Sequence, residues 1–163
     1  MKKDIKWSKG IFSNTFKIFS NNKTIGTLKD GCLSKEAKLN INGKNYLFKS
    51  NGFLNQETEI IEPANNTVVG NIAYNPWTWR GAITLNNRSF NCKYTNFWNT
   101  KWKFFNSSGS PVKFYGGCTK GAIESTLDDN LLMLAGVYIH NNTLKMAGVI
   151  AGFVVGLFMP WFS

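Results

Sequence analysis

The sequence predicts a mainly β protein, a closed twelve-stranded antiparallel barrel around a central hydrophobic C-terminal helix. Three observations lead there. The chain repeats itself at an offset of 44 positions, asparagine and glycine turns cut each repeat into short strand-like pieces, and the segment from Met146 to Phe162 carries no charged residue.

Taken in order, the repeat places "NNKTIG" (21 to 26) on "NNTVVG" (65 to 70) and "LNINGKNYLFK" (39 to 49) on "ITLNNRSFNCK" (83 to 93). Apolar positions, turn asparagines and the Gly26/Gly70 pair stay in step over the whole unit, as they do in repeat architectures. A looser third copy starts near Phe104. Each unit divides into four strands: "TFKIF", "KTIGTLK", "KEAKLNI" and "KNYLFKS" in the first, "TEIIE", "TVVGNIAY", "RGAITL" and "RSFNCKYT" in the second. The third gives "KWKFF", "PVKFY", "GAIESTL" and "NLLMLAGVYI". The pieces alternate apolar and polar residues, and "NG" at Asn42 and "NN" at Asn86 supply the positive φ of a two-residue hairpin turn. The strands therefore cover about 15–139.

Short antiparallel turns favour closure, which removes exposed edges. A barrel of about eight strands can be filled by its own side chains, and one of twelve is too wide for that. The all-round apolar terminal segment is the natural plug. Its helix is expected over about 143–158, with Thr143 as N-cap and Pro160 beyond its end. Gly148, Gly152 and Gly156 leave one flank bare, suited to close approach by strand backbone or, in a bilayer, to helix pairing. The uncharged run reaches roughly 25 Å, short of a hydrocarbon core of about 30 Å.

At 163 residues the chain suits a single domain spanning 1–163, large enough to bury roughly 70% of its unfolded surface. Cys32, Cys92 and Cys118 are odd in number and lack a CxxC spacing, which argues against a disulfide framework and a zinc site and suggests buried, reduced thiols. The opening "MKKDIKWSKG" is basic without an apolar stretch behind it, so a cytoplasmic location is expected.

The close of the chain, "DDNLLMLAGVYIHNNTLKMAGVIAGFVVGLF", resembles that of the phospholipid scramblases, with Asp129 and Asn130 opening it and Lys145 and Met146 leading into an apolar helix. The arrangement as a whole resembles the tubby C-terminal-like superfamily, which includes tubby proteins, phospholipid scramblases and the plant LURP-one-related proteins. The resemblance implies twelve strands wrapped around a hydrophobic helix and, as in tubby proteins, basic residues on the barrel surface that hold phosphoinositide head groups. Where scramblases carry further acidic residues, read as a calcium site, this chain has His140, Asn141 and Asn142, which argues against calcium at Asp128 and Asp129.

No catalytic constellation stands out, and neither a cofactor nor a metal is expected. The single histidine, His140, reads as a solvated turn residue, with no nucleophile at a recognisable spacing. Charge carries more information. The net charge is +10, and between Glu62 and Glu124 there is no acidic residue, while Arg80, Arg88, Lys93, Lys101, Lys103, Lys113 and Lys120 all fall there. One-sign surfaces attract anionic membranes, nucleic acid or acidic proteins. The first expectation is a monomeric, non-enzymatic module for anionic phospholipid or phosphoinositide, with Arg80, Arg88, Lys93, Lys101 and Lys103 at head groups and Trp77 and Trp79 at the membrane interface. An integral or tail-anchored scramblase-like protein is the alternative, and a structural or partner-binding barrel a further one. Single-stranded nucleic acid ranks below these, because only the basic and aromatic strip speaks for it.

Overall fold

The computed structural model describes residues 4–31, 35–51, 57–75 and 77–158; towards the end of the helix, side chains are described as far as Val149 and at Ala151. Twelve strands precede one helix: β1 Ile5–Lys9, β2 Thr15–Ser20, β3 Lys23–Asp30, β4 Glu36–Ile41, β5 Lys44–Asn51, β6 Glu57–Glu62, β7 Thr67–Asn75, β8 Arg80–Leu85, β9 Arg88–Tyr94, β10 Lys101–Asn106, β11 Gly109–Gly116, β12 Lys120–Ser125 and α1 Asn130–Phe158. Each strand pairs antiparallel with its chain neighbours, and β1 pairs with β12 to close the barrel. The predicted barrel and helix are therefore present.

The repeat is a repeat of structure. Strands β4 and β8 start at equivalent positions, as do β6 and β10. Asn42 and Asn86 both have φ 50° in matching turns. A register shift recurs in β2–β3, β6–β7 and β10–β11, near Ile18, Ile60 and Phe104.

Both ends of the predicted strand set need correction. "NLLMLAGVYI" is not the twelfth strand but the first turns of α1, which starts at Asn130 and not near 143. Every residue from Leu131 to Thr143 is buried, and a segment surrounded by strands must be apolar all round. The missing strand of the third unit comes from the N-terminus: Ile5 and Trp7 point inward and are almost wholly buried. Thr143 is accordingly no N-cap. It lies within the helix and bonds back to the Ile139 carbonyl at 2.9 Å. Asp129 caps instead, its Oδ1 accepting the Leu132 N–H at 3.0 Å, as an N-cap carboxylate does with the third helical residue.

The plug is thus 130–146, and the described start of the apolar run that follows emerges from the barrel. Met146 is buried, while Gly148 and Val149 are exposed. The side chains of Phe153 and Leu157, and the surroundings of glycines 152 and 156, lie beyond the described side chains. The close approach expected of the glycine flank falls at Gly136, where a β-carbon would overlap the Phe114 ring. Among the described residues no helix is long and apolar enough to cross a membrane.

Polar side chains fix how deep α1 sits. The Tyr138 hydroxyl meets Thr58 at 3.2 Å, Tyr74 meets Thr143 at 2.6 Å, and Asn141 and Lys145 both reach Asp30, at 2.8 and 3.0 Å. A slip along the axis would leave all of these groups unsatisfied in the core.

Candidate functional site

Up-and-down topology gives the barrel two different rims. Tight turns join strands at one, with asparagines in the left-handed region at Asn21, Asn42, Asn66 and Asn86. Longer loops join them at the other, which we call the loop rim. The helix enters at the turn rim, behind β12, and leaves at the loop rim, where Lys145 also contacts the Gly31 carbonyl at 3.2 Å.

Strand register assembles the predicted basic residues. Arg80 on β8 faces Lys93 on β9, Lys93 faces Lys103 on β10, and Lys103 faces Lys113 on β11. Four cations thus lie side by side across four strands of the outer face, where like charges directly opposite destabilise a sheet. Lys101 stands at the start of β10 on the same face. Phe105 lies between two members of the row, with the ammonium of Lys93 at 4.9 Å and that of Lys103 at 5.5 Å from its ring centroid. These cation–π contacts hold the two lysines without neutralising them.

The first repeat supplies a built-in comparison. The positions equivalent to Arg80, Lys93 and Lys103 are Glu36, Lys49 and Glu59, which face one another in the same register. Acid, base and acid alternate there, the arrangement that favours the sheet. At the positions 44 residues later both acids have become bases.

Arg88 does not belong to the row. It sits at the turn rim and forms an ion pair with Asp129, the helix cap. Lys113, which is outside the expected set, is the fourth member of the row. It was hard to place because the third copy slips against the repeat, so its partner on β10 follows only from the observed register.

At the loop-rim end of the row, Thr78, Trp79, Arg80, Lys93, Tyr94, Asn96, Phe97 and Asn99 line a hollow of about 360 Å³. Two cations and three aromatic rings surround a space of head-group size. Of the two expected interface tryptophans, Trp77 is 71% exposed. Trp79 is half-buried, packs against the core and has φ 56°, so it forms a wall of the hollow. Phe97 and Trp98, in the next loop, are exposed and were missed. Asn96 explains them: its Oδ1 accepts N–H groups from Thr100 and Lys101 at 3.0 and 3.1 Å, and this tight fold pushes the aromatic pair outward. A larger groove of about 890 Å³ runs over β11, β12 and β1, floored by Gly116 and Gly121 above the buried Trp7 ring, away from the basic row.

His140 is not a solvated turn residue. It is buried in α1 and stacked on Trp102 with ring centroids 4.0 Å apart. Its Nε2–H donates to the Gly117 carbonyl at 2.9 Å, which leaves Nδ1 to accept from the Tyr94 hydroxyl at 2.7 Å. Burial lowers its pKa to about 4 from the ordinary 6.5, against a smaller opposing pull from the Gly117 carbonyl. The unfolded chain therefore binds the proton first as pH falls. The neutral ring's contribution is fully present above about pH 6.5 and is lost between there and pH 4, on the order of 3 kcal/mol. Urea midpoints measured at pH 7 and 4.5 should differ accordingly, and His140→Gln should flatten that difference.

Burial also pushes the Cys92 thiol up to about 12, so it stays protonated. Cys118 is exposed in the β11–β12 loop, contrary to the expectation of burial, and Cys32 lies outside the described residues. Among the described residues no three His, Cys, Asp or Glu side chains cluster as a metal site would require. No protein-family model matches the chain, and no curated protein or solved structure matches it.

Proposed function

We propose that the protein is a non-enzymatic module that binds anionic phospholipid surfaces, and that it belongs to the tubby C-terminal-like superfamily. The twelve-stranded barrel threaded by its C-terminal helix supports the family reading. The lipid reading is carried by the replacement of Glu36–Lys49–Glu59 with Arg80–Lys93–Lys103 at equivalent positions. That exchange lengthens a row of like charges at a cost to the sheet, which a counter-charged partner offsets. Lys113 and Lys101 extend the row, and the hollow beside Arg80 and Lys93 is suited to a phosphate-bearing head group flanked by aromatic rings. His140 is wholly engaged by its neighbours, which supports the non-enzymatic reading.

The test is flotation with vesicles of phosphatidylcholine with and without phosphatidylserine. Each basic side chain near an anionic surface contributes about 1 kcal/mol, so Lys93→Gln with Lys103→Gln should weaken binding roughly thirty-fold. Thermal stability should hold or rise, because repulsion across the strands is relieved. Binding should fade as salt is raised. Affinity that ignores phosphatidylserine, or the double substitution, would sink this reading.

A further inference from the structure

Large apolar side chains are lifted into solvent at one end of the barrel. In the loop after β7, Trp77 is exposed; in the loop after β9, Phe97 is 88% and Trp98 79% exposed; in the loop after β1, Ile11 is 79% exposed and Phe12 fully so. All three loops lie on the loop rim. Among the described residues, Val68 is the large exposed hydrophobic found at the turn rim. Scattered exposed apolar residues need no explanation, but a set confined to one rim does.

Immediately behind these tips stands a collar of charge. Arg80 and Lys101, the exposed first residues of β8 and β10, follow the loops of Trp77 and of Phe97 and Trp98, and Lys120, the exposed first residue of β12, follows the loop between these and the loop of Ile11 and Phe12. This half of the rim falls within the stretch between Glu62 and Glu124 that has no acid. Through the same rim α1 leaves the barrel, with Val149 exposed and the helix continuing to Phe158. The sequence from Ala147 to Phe162 carries no charge.

Taking the proposed affinity for anionic lipid as given, we infer that the loop rim docks end-on against an anionic bilayer. The tips of the three loops sit among the acyl chains and head groups, the collar lies at the phosphates, and the arm of α1 beyond Met146 enters one leaflet. Aromatic rings favour this interfacial depth, and a basic collar just behind them meets the phosphate plane. The arm from Ala147 to Phe158 reaches roughly 18 Å, a little over half of a hydrocarbon core of about 30 Å, so it ends within the membrane. The tips project from separate loops, with Phe97 and Trp98 as one edge-on pair. A fluid bilayer receives such points, whereas a rigid protein partner would need a socket for each.

The experiment uses the full chain with vesicles of phosphatidylcholine and phosphatidylserine whose acyl chains carry bromine, a short-range quencher of tryptophan. Quenching on binding is expected. In a Trp161→Phe background, which removes the tryptophan that follows the arm, it should fall to a small remainder when Trp77→Phe and Trp98→Phe are added to a protein that still floats with the vesicles. A second variant, Phe12→Ser with Phe97→Ser, should bind about ten-fold more weakly, since interfacial affinity follows the buried apolar area, while Val68→Ser on the opposite rim changes nothing. Binding with no quenching, or quenching unaltered by the two tryptophan substitutions, would overturn end-on docking and leave the lipid reading intact. A protein that fails to float with any anionic vesicle removes both. A concentration-dependent dimer abolished by Trp98→Ser, in a protein whose vesicle binding that substitution leaves unchanged, would assign the rim to a second copy of the chain and also overturn the inference.

Discussion

Gly136→Ala is expected to destabilise the protein by about 3 kcal/mol, although alanine is the better helix former by about 1 kcal/mol. The new β-carbon would overlap the Phe114 ring. That ring is wholly buried, stacked on Trp102 at 5.2 Å with the planes 2° apart, and meets Phe104 edge-on at 5.3 Å. It has nowhere to turn. Trp102 is held in its own place by donating its Nε1–H to the Gly136 carbonyl at 3.1 Å, so a shift of the helix also breaks that bond. Chemical denaturation of the variant checks the loss. A double-mutant cycle with Phe114→Leu, which makes room for the methyl group, should recover part of it, because contacting residues couple by about 0.5–3 kcal/mol. Full additivity would show that the crowding argument is wrong.

Asp30→Ala should cost on the order of 3–5 kcal/mol, the usual effect of removing one partner from a buried ion pair. Asp30 is 5% exposed and accepts from Lys145 with one oxygen and from Asn141 with the other. Without it the Lys145 ammonium keeps the Gly31 carbonyl alone among its described partners, in a side chain 17% exposed. Lys145→Met should cost a similar amount by stranding the carboxylate. The combined Asp30→Leu, Lys145→Met protein should lose less than the sum of the two. Unfolding titrations of the three proteins measure this coupling, which should be nearly indifferent to salt because the pair is shielded from solvent. Losses that simply add would mean that the two charges do not depend on each other.

Much of the barrel could be read from sequence because turns are chemically explicit. Asn42 and Asn86 adopt the left-handed conformation that their repeat position announces. The two misplaced elements fail for opposite reasons. "NLLMLAGVYI" is continuously apolar, and burial on all sides erases the periodicity that separates helix from strand. "IKWSK" alternates correctly, yet it presents only two inward side chains among lysines and reads as a basic opening stretch, not as a strand. Buried polar residues in α1 misled further: "HNN" reads as a turn, and its partners on β3, β9 and the β11–β12 loop are distant in sequence.

The basic row was half legible. Composition pointed to the segment, but which lysines face one another is decided by pairing register, and Arg88 was included for its place in the chain although it opens β9 at the turn rim. Loop exposure was the least readable feature. Trp77 and Trp79 stand two residues apart, and a positive φ at the latter turns it inward.

The seam between β1 and β12 joins the two most distant strands of the chain, Ile5 opposite Ile123. A ribosome delivers the first of these long before the second, so an early sheet must wait with unpaired edges at β1 and at whichever strand was made last. Such edges invite pairing with other chains. The interior stays hollow until Asn130 to Met146 has been synthesised. Completion is therefore a late event that couples plug insertion to ring closure, and it sets a slow step governed by contacts of long sequence separation.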